Sequence, residues 1–145
     1  MPKPLYKIFE TGSQYRKKED RINFFRENWN TGVGAILKIA FDPLYKMKLP
    51  EGDPHYKPAD ASFDLEAVIY NRLGFIQRVF INDHPVQQAR KEQLFIQLLE
   101  SMDPYDAKLL LAAKDGKLPY KNLTADFFRE AFPGHLPEKD GQIKE

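Results

Sequence analysis

The placement of proline constrains the fold of this chain more than any other sequence feature. Pro43, Pro50, Pro54 and Pro58 fall within sixteen residues. Proline lacks a backbone donor and drives the preceding residue toward extended geometry, so neither a helix nor a central strand is expected across 42–62. A disordered linker would lack apolar side chains, whereas this segment contains several, so we expect an ordered loop. The side chains expected to dock onto the rest of the protein are Leu44, Tyr45, Met47, Leu49 and Tyr56.

On both sides of this Pro-rich segment, apolar residues recur with helical spacing. The predicted helices cover about 18–29, 33–41, 64–76, 85–102, 103–115 and 124–132, and the short apolar run 5–9 also fits a helix face. The run 78–81 is predicted to be either a brief strand or the last turn of the preceding helix. The fold class is therefore all-α, with about six short-to-medium helices around one core, interrupted by a Pro-rich ordered loop at about 42–62.

Local signals mark several helix ends. Asp103 followed by Pro104 predicts a helix start, and Thr124 predicts another. Gly116 is placed to supply the left-handed position after a helix. Trp29, the single tryptophan, ends an amphipathic pattern and is interpreted as a core residue.

The length of 145 residues suits one domain with one hydrophobic core. We expect a single helical domain over 1–134, with helical halves 1–41 and 63–134 joined by the Pro-rich segment 42–62. The polar residues 135–145 are expected to form a frayed tail.

Composition excludes several classes of catalytic and metal site. The chain has no cysteine, which removes disulfides, thiolate nucleophiles and cysteine metal sites. Gly32 and Gly34 lack the third glycine and the lysine of a phosphate-binding loop. Its three histidines, at 55, 84 and 135, lie in predicted loops without a ligand pattern. We therefore expect a protein that is not an enzyme and holds no cofactor and no metal. No apolar run is long enough to span a membrane.

Charge and a repeated dipeptide leave more than one kind of partner open. Residues 1–48 have a net charge of +5 and residues 49–106 a net charge of −5, which suits internal pairing, contacts between copies or, for the basic part, nucleic acid. Tyr-Lys occurs at 6–7, 45–46, 56–57 and 120–121. A ring beside an ammonium can bind single-stranded nucleic acid. It can equally pack its ring on a helix while the lysine stays in water, or belong to a protein interface.

Three sequence blocks, at 41–58, 92–101 and 114–121, resemble an uncharacterised family of small proteins encoded by tailed bacteriophages, especially those with contractile tails. They contain Leu-Pro-Glu-Gly-Asp-Pro at 49–54 and Lys-Asp-Gly-Lys-Leu-Pro at 114–119. The similarity extends over about 20–134. It implies a phage origin and a life in the host bacterial cytoplasm. The family has no assigned activity, so the resemblance implies no functional residue.

Together these patterns predict a non-enzymatic phage accessory protein that binds a phage or host protein, or a second copy of itself. Single-stranded nucleic-acid binding through the Tyr-Lys pairs and a minor structural role in the virion remain alternatives. The predicted contact surface combines the Pro-rich segment with the 117–121 connector. Its residues are Tyr45, Lys46, Met47, Tyr56, Lys57, Tyr120 and Lys121.

Overall fold

The structure is a computed structural model that describes residues 3–60, 64–82 and 85–137. Within these ranges it contains helices and turns but no strand, which confirms the all-α prediction. Eight α-helices are present in the described residues: α1 (Leu5–Ser13), α2 (Lys18–Glu27), α3 (Thr31–Phe41), α4 (Val68–Asn71), α5 (Leu73–Ile76), α6 (Gln88–Ser101), α7 (Pro104–Lys114) and α8 (Ala125–Ala131). A 3₁₀ turn (Pro43–Tyr45) follows α3, and a π-helix (Gln77–Ile81) follows α5.

Helices α3 and α7 form the centre of the fold. Both are apolar on most of their surface, and Leu37 of α3 and Leu110 of α7 are fully buried. Helices α1, α2 and α8 cover one side of this pair through phenylalanines packed edge to face; the ring centroids of Phe25 and Phe128 are 5.1 Å apart. Helix α6 and the π-helix contact each other through a second aromatic pair: the ring centroids of Phe95 and Phe80 are 5.5 Å apart. One shared core therefore connects all these elements.

The predicted local signals for helix ends agree with the structure. The side chain of Asp103 accepts a hydrogen bond from the N–H of Tyr105 at 2.8 Å, and Thr124 Oγ1 accepts one from Phe127 at 3.2 Å. Gly116 has a φ of +84°, the left-handed conformation that ends α7. These signals depend only on neighbouring residues, so sequence alone could identify them.

Two helix predictions need correction. The helix expected at 64–76 is divided into α4 and α5, and the chain then winds into a π-helix, so the helix count exceeds six. Asn82 donates to the carbonyl of Gln77 at 2.8 Å, which is the five-residue spacing of a π-turn. The run 78–81 is thus the exit of this helical segment, not a strand. The helix expected from 85 begins at Gln88.

The C-terminal boundary also differs from the expected one. Leu136 is buried, and the His135 ring lies 4.9 Å from the Trp29 ring. Arg129 Nε donates to the carbonyl of Pro137 at 2.7 Å. Residues 135–137 therefore pack with the domain. The rest of the expected tail, 138–145, lies outside the described residues.

The Pro-rich segment is held against the helices at successive points. Met47 is buried in the core, and the next residue, Lys48, donates its N–H to the carbonyl of Phe80 at 2.7 Å. Tyr45, Leu49 and Tyr56 pack partly buried against the core, as expected. Leu44 does not dock, because the 3₁₀ turn directs its side chain outward and leaves it 78% exposed.

Helix α1 is tied to α7 by a buried carboxyl group. Asp106 Oδ1 accepts the N–H of Tyr6, in the first turn of α1, at 2.9 Å. Asp106 is fully buried, and its Oδ2 has no hydrogen-bond partner among the described residues. Burial is the main cause that raises the pKa of Asp106 from 3.8 to about 7, and the nearby carboxylates of Asp103 and Glu66 add to it.

We expect Met47→Ala and Leu44→Ala to have different effects on the free energy of unfolding, because Met47 is docked in the core and Leu44 is not. Met47 is buried, so its truncation leaves a cavity and should lower the free energy of unfolding by about 2–4 kcal/mol. Leu44→Ala should change it by less than about 0.5 kcal/mol. Urea denaturation of both variants measures this difference. Equal effects would contradict the docking of Met47.

We expect Asp106 to make stability fall as pH rises from about 4 to about 7. The folded state binds this proton more tightly than the unfolded state, so deprotonation costs stability as pH passes through that range. At about 1.36 kcal/mol per pH unit, the loss reaches at most about 4 kcal/mol. Asp106→Asn stays neutral, so its stability relative to the wild type should improve between pH 5 and pH 8. Parallel urea-midpoint curves for the two proteins would exclude this role.

Candidate functional site

A groove with a volume of about 490 Å³ runs between α3 and the segment formed by α5 and the π-helix. Helix α4 approaches α3 closely at Gly32, where a Cβ would lie 2.6 Å from the Tyr70 ring. Farther along α3 the two walls separate. The groove is lined by Trp29, Thr31, Gly34, Ala35, Lys38, Ile39, Tyr45, Leu73, Gly74, Ile76, Gln77, Ile81 and His135.

Small side chains on α3 create the space. Thr31 and Ala35 face the groove one turn apart and have short side chains, whereas Gly34, also in the lining, is covered by the Trp29 indole. The opposite wall presents the larger apolar side chains of Leu73 and Ile76. The volume falls in the range typical of binding clefts, about 300–1,000 Å³. The groove is therefore large enough for several side chains of a binding partner.

Trp29 forms one end of the groove. It is 43% exposed, so the prediction that it is a core residue is wrong. Its ring lies 4.6 Å from the Phe132 ring and covers Gly34, where a Cβ would come within 2.8 Å of the indole. His135 Nε2 donates to the carbonyl of Gly34 at 3.0 Å. Gly34 thus permits the close packing that holds the indole at the edge of the groove.

Lys38 is the charged residue that lines the groove, near its other end. Its Nζ lies 4.7 Å from the centroid of the Tyr45 ring and 3.7 Å from Asp42 Oδ2. The second distance exceeds that of a hydrogen bond. In the described part of the chain this ammonium makes no hydrogen bond, and its side chain is 28% exposed. The groove therefore combines apolar walls with one cation that has room for a further partner.

The residues predicted from sequence as a contact surface lie beside three different helices. Tyr45 lies against α3 and lines the groove, and Lys46 is exposed beside it. Met47 is only 1% exposed, so its prediction as a contact residue is wrong; its side chain fills the core.

The other predicted contact residues lie away from α3. The N–H of Lys57 donates to Glu100 of α6 at 2.8 Å, which places Tyr56 beside that helix. Tyr120 lies near α1, where burial raises its pKa and Glu10 and Tyr6 raise it further. Lys121 is exposed. The rings of Tyr6, Tyr45, Tyr56 and Tyr120 all pack partly buried on the core.

The Pro-rich segment meets the end of α7 through a buried lysine. Lys114 is 3% exposed, and its Nζ donates to the carbonyls of Pro50 and Gly52 at 2.8 and 2.9 Å. It also lies 2.7 Å from Asp115 Oδ1, and the Asp115 carboxylate accepts the N–H of Gly52. With the bond between Lys57 and Glu100, these contacts join the three sequence blocks at 41–58, 92–101 and 114–121.

Sequence reasoning missed most of the groove. Gly32 and Gly34 lie in the first turn of α3, which begins at Thr31, but sequence reasoning assigned them no part in a groove. Two glycines and an alanine within an otherwise bulky apolar helix are the signal that could have indicated a close approach or a groove. The contribution of His135 has no local signal, because it depends on a contact with a residue about a hundred positions away.

Two other features, a metal-binding cluster and a membrane-spanning helix, are absent from the described residues. Across the described ranges, no cluster of three or more histidine or acidic side chains could hold a metal ion. Among the helices of the same residues, none has the length and apolar character needed to cross a membrane.

We expect Gly34→Ala to displace the Trp29 indole, because the new methyl would overlap it. Trp29 is the only tryptophan, so its fluorescence reports the groove directly. The emission should shift to longer wavelength and become more sensitive to acrylamide quenching. Gly74→Ala is the matched control, since no atom lies within 4 Å of its new Cβ. It should stabilise α5 by up to about 1 kcal/mol without an emission shift. Unchanged emission in Gly34→Ala would disprove the packing described for Trp29.

Comparison with known proteins places the chain in a protein family. No curated protein matches the chain. A family model described as a family of unknown function, DUF6433, matches residues 8–120. This range includes most of α1, all of α2 to α7, the groove walls from α3 to the π-helix, and the three sequence blocks joined by Lys114 and Glu100 as far as Tyr120. The chain therefore belongs to the DUF6433 family of unknown function.

Proposed function

We propose that this protein is a non-enzymatic interaction module, and that apolar side chains of a partner protein occupy the groove between α3 and the π-helix. The observation that carries the proposal is an apolar groove with exposed hydrophobic side chains at its edge. Trp29 is 43% exposed at one end, and Leu44, beside the groove residue Tyr45, is 78% exposed. Exposed apolar side chains at the two ends of such a groove give a partner protein apolar surface to bury.

A protein partner fits this surface better than a small molecule. A ligand confined to the groove would leave Leu44 in water, because Leu44 lies outside the groove lining. A protein surface could cover the groove and Leu44 together. Burying a leucine side chain contributes about 1.5–3 kcal/mol, so covering it adds substantially to binding.

The polar groups of the groove support a binding role rather than catalysis. His135 uses Nε2 to hold the carbonyl of Gly34. Lys38 lies between Asp42 and the Tyr45 ring. Neither arrangement pairs a nucleophile with a base at hydrogen-bond distance, which is the geometry that nucleophilic catalysis uses.

The surroundings of the Tyr-Lys pairs favour a protein partner over nucleic acid. Their four rings pack against the core, which reduces the face available for base stacking. Burial is the main cause that raises the pKa of Tyr6 and of Tyr120; Asp103 and Glu66 raise that of Tyr6 further, and Glu10 contributes to both. Carboxylates at these positions would repel phosphate groups.

The cellular setting is part of the same proposal. The resemblance to proteins of tailed, contractile-tailed phages supports a phage accessory protein that acts in the host bacterial cytoplasm. The partner is then a phage protein or a host protein, or a second copy of this chain. Incorporation into the virion would place the same surface against a structural protein.

The experiment is affinity capture of the tagged protein from phage-infected bacteria, with and without nuclease. Ala35→Met fills the groove with a residue that favours helix. Ala112→Met makes the same change at a half-buried alanine of α7, outside the groove. A stoichiometric protein should remain after nuclease with the wild type and with Ala112→Met, and should be lost with Ala35→Met. Equal retention by both variants would refute the groove as the site. Material lost entirely on nuclease treatment would favour nucleic-acid binding.

A further inference from the structure

We infer that the segment bound in the groove is a short amphipathic helix with an acidic residue placed against Lys38. This inference rests on the proposed function, because it specifies the part of the partner that enters the groove. Three properties of the site support it: the backbone chemistry of its walls, the spacing of small residues along α3, and the charge of Lys38.

The walls of the groove favour a helix over an extended segment. Helix α3, helix α5 and the π-helix use their central N–H and carbonyl groups within their own turns, so the groove offers no strand edge to an extended chain. An extended occupant would bury its backbone groups without partners, which costs free energy. A helix satisfies these groups internally and needs only a surface for its side chains.

The dimensions of the groove match about two turns of such a helix. Its α3 wall extends from Thr31 to Ile39, which corresponds to about 12 Å at 1.5 Å per residue. The small side chain of Ala35 lies midway, where a second helix axis could approach closely. Apolar side chains spaced i, i+4 and i+7 on the partner would then face Ala35 and Leu73.

The charge of Lys38 favours an acidic residue on the partner helix. Covering this ammonium with an apolar surface would remove water from it while leaving Asp42 at 3.7 Å as its nearest anion. Removing water from a cation without a hydrogen-bonded counter-charge is unfavourable. A carboxylate on the incoming helix would supply that counter-charge. Lys38 lies toward the end of the groove formed by Tyr45, so the acidic residue belongs at that end.

The opposite end of the groove should receive a large apolar side chain. Trp29, His135 and the backbone of Gly34 form an aromatic surface there, with the indole 43% exposed. The partner helix is thereby oriented: its acidic residue lies near the C-terminal end of α3, and its bulkiest apolar residue near the N-terminal end.

The test is selection from a displayed library of helix-forming twelve-residue peptides against the full-length protein. Binders to Ala35→Met are removed first, so that only groove-dependent sequences remain. We expect the selected peptides to share apolar residues at i, i+4 and i+7 and to be enriched in Asp or Glu toward one end. Selection against Lys38→Glu should replace that acidic preference by Lys or Arg. Lys38→Gln removes the charge with a side chain only one atom shorter and avoids a like-charge contact with Asp42, and it should abolish the preference without reversing it.

Binding of one selected synthetic peptide is then measured by Trp29 fluorescence. Lys38→Glu should weaken it at least about tenfold, a change equivalent to about 1.4 kcal/mol, and a Glu→Lys change in the peptide should restore it. Groove-dependent peptides without an acidic preference, or with the same preference in Lys38→Glu, would overturn this inference and leave the proposed function intact. The absence of any peptide that distinguishes the wild type from Ala35→Met would overturn both.

Discussion

Burial of the central pair α3 and α7 is the constraint on which the rest of the structure depends. Both helices are apolar on nearly every side, so each must be covered by other elements to be stable in water. Helices α1, α2 and α8 supply the Phe25 and Phe128 cluster on one side. Helix α6 and the π-helix supply Phe95 and Phe80 on another. The face of α3 that carries Thr31, Ala35 and Lys38 stays at least partly exposed in the described part of the chain, and it forms the floor of the groove.

The Pro-rich segment follows from the same constraint. Its prolines prevent it from adding another helix, so it covers the core with single side chains such as Met47. Beyond residue 49 the segment forms hydrogen bonds with other elements, and Lys114, Asp115 and Glu100 provide them at 50–52 and 57. Removing water from the Lys114 ammonium is offset by two carbonyls and one carboxylate, an arrangement that satisfies all three of its protons.

Sequence patterns predicted those features that depend on neighbouring residues. The all-α class, the spans of α2, α3 and α7, and the caps at Asp103 and Thr124 were predictable because periodicity and capping act over one or two turns. Contacts between distant segments were not. Met47 and Leu44 have similar hydrophobicity, yet only Met47 is buried.

Two other residues show the same limit. Trp29 was expected in the core, but helices do not cover it from both sides, and it remains 43% exposed. Lys91 stands between Arg90 and Glu92 in a charged run typical of water-facing side chains, but it is 2% exposed on α6. Of the candidate site, sequence reasoning identified Tyr45 alone among the groove residues. The others require knowledge of which helices lie opposite α3.

The two walls of the groove differ in the room they leave at their glycines. Gly34 is accounted for by packing, because Trp29 and His135 occupy the space that a Cβ would need. The opposite wall, in contrast, has spare room, since a Cβ at Gly74 would meet nothing within 4 Å. Filling such room with larger apolar groups would bury more surface and raise stability, at roughly 25 cal/mol per Å². A fold that instead leaves the groove open, with an indole at one end and an ammonium at the other, gives up stability that a bound partner can restore.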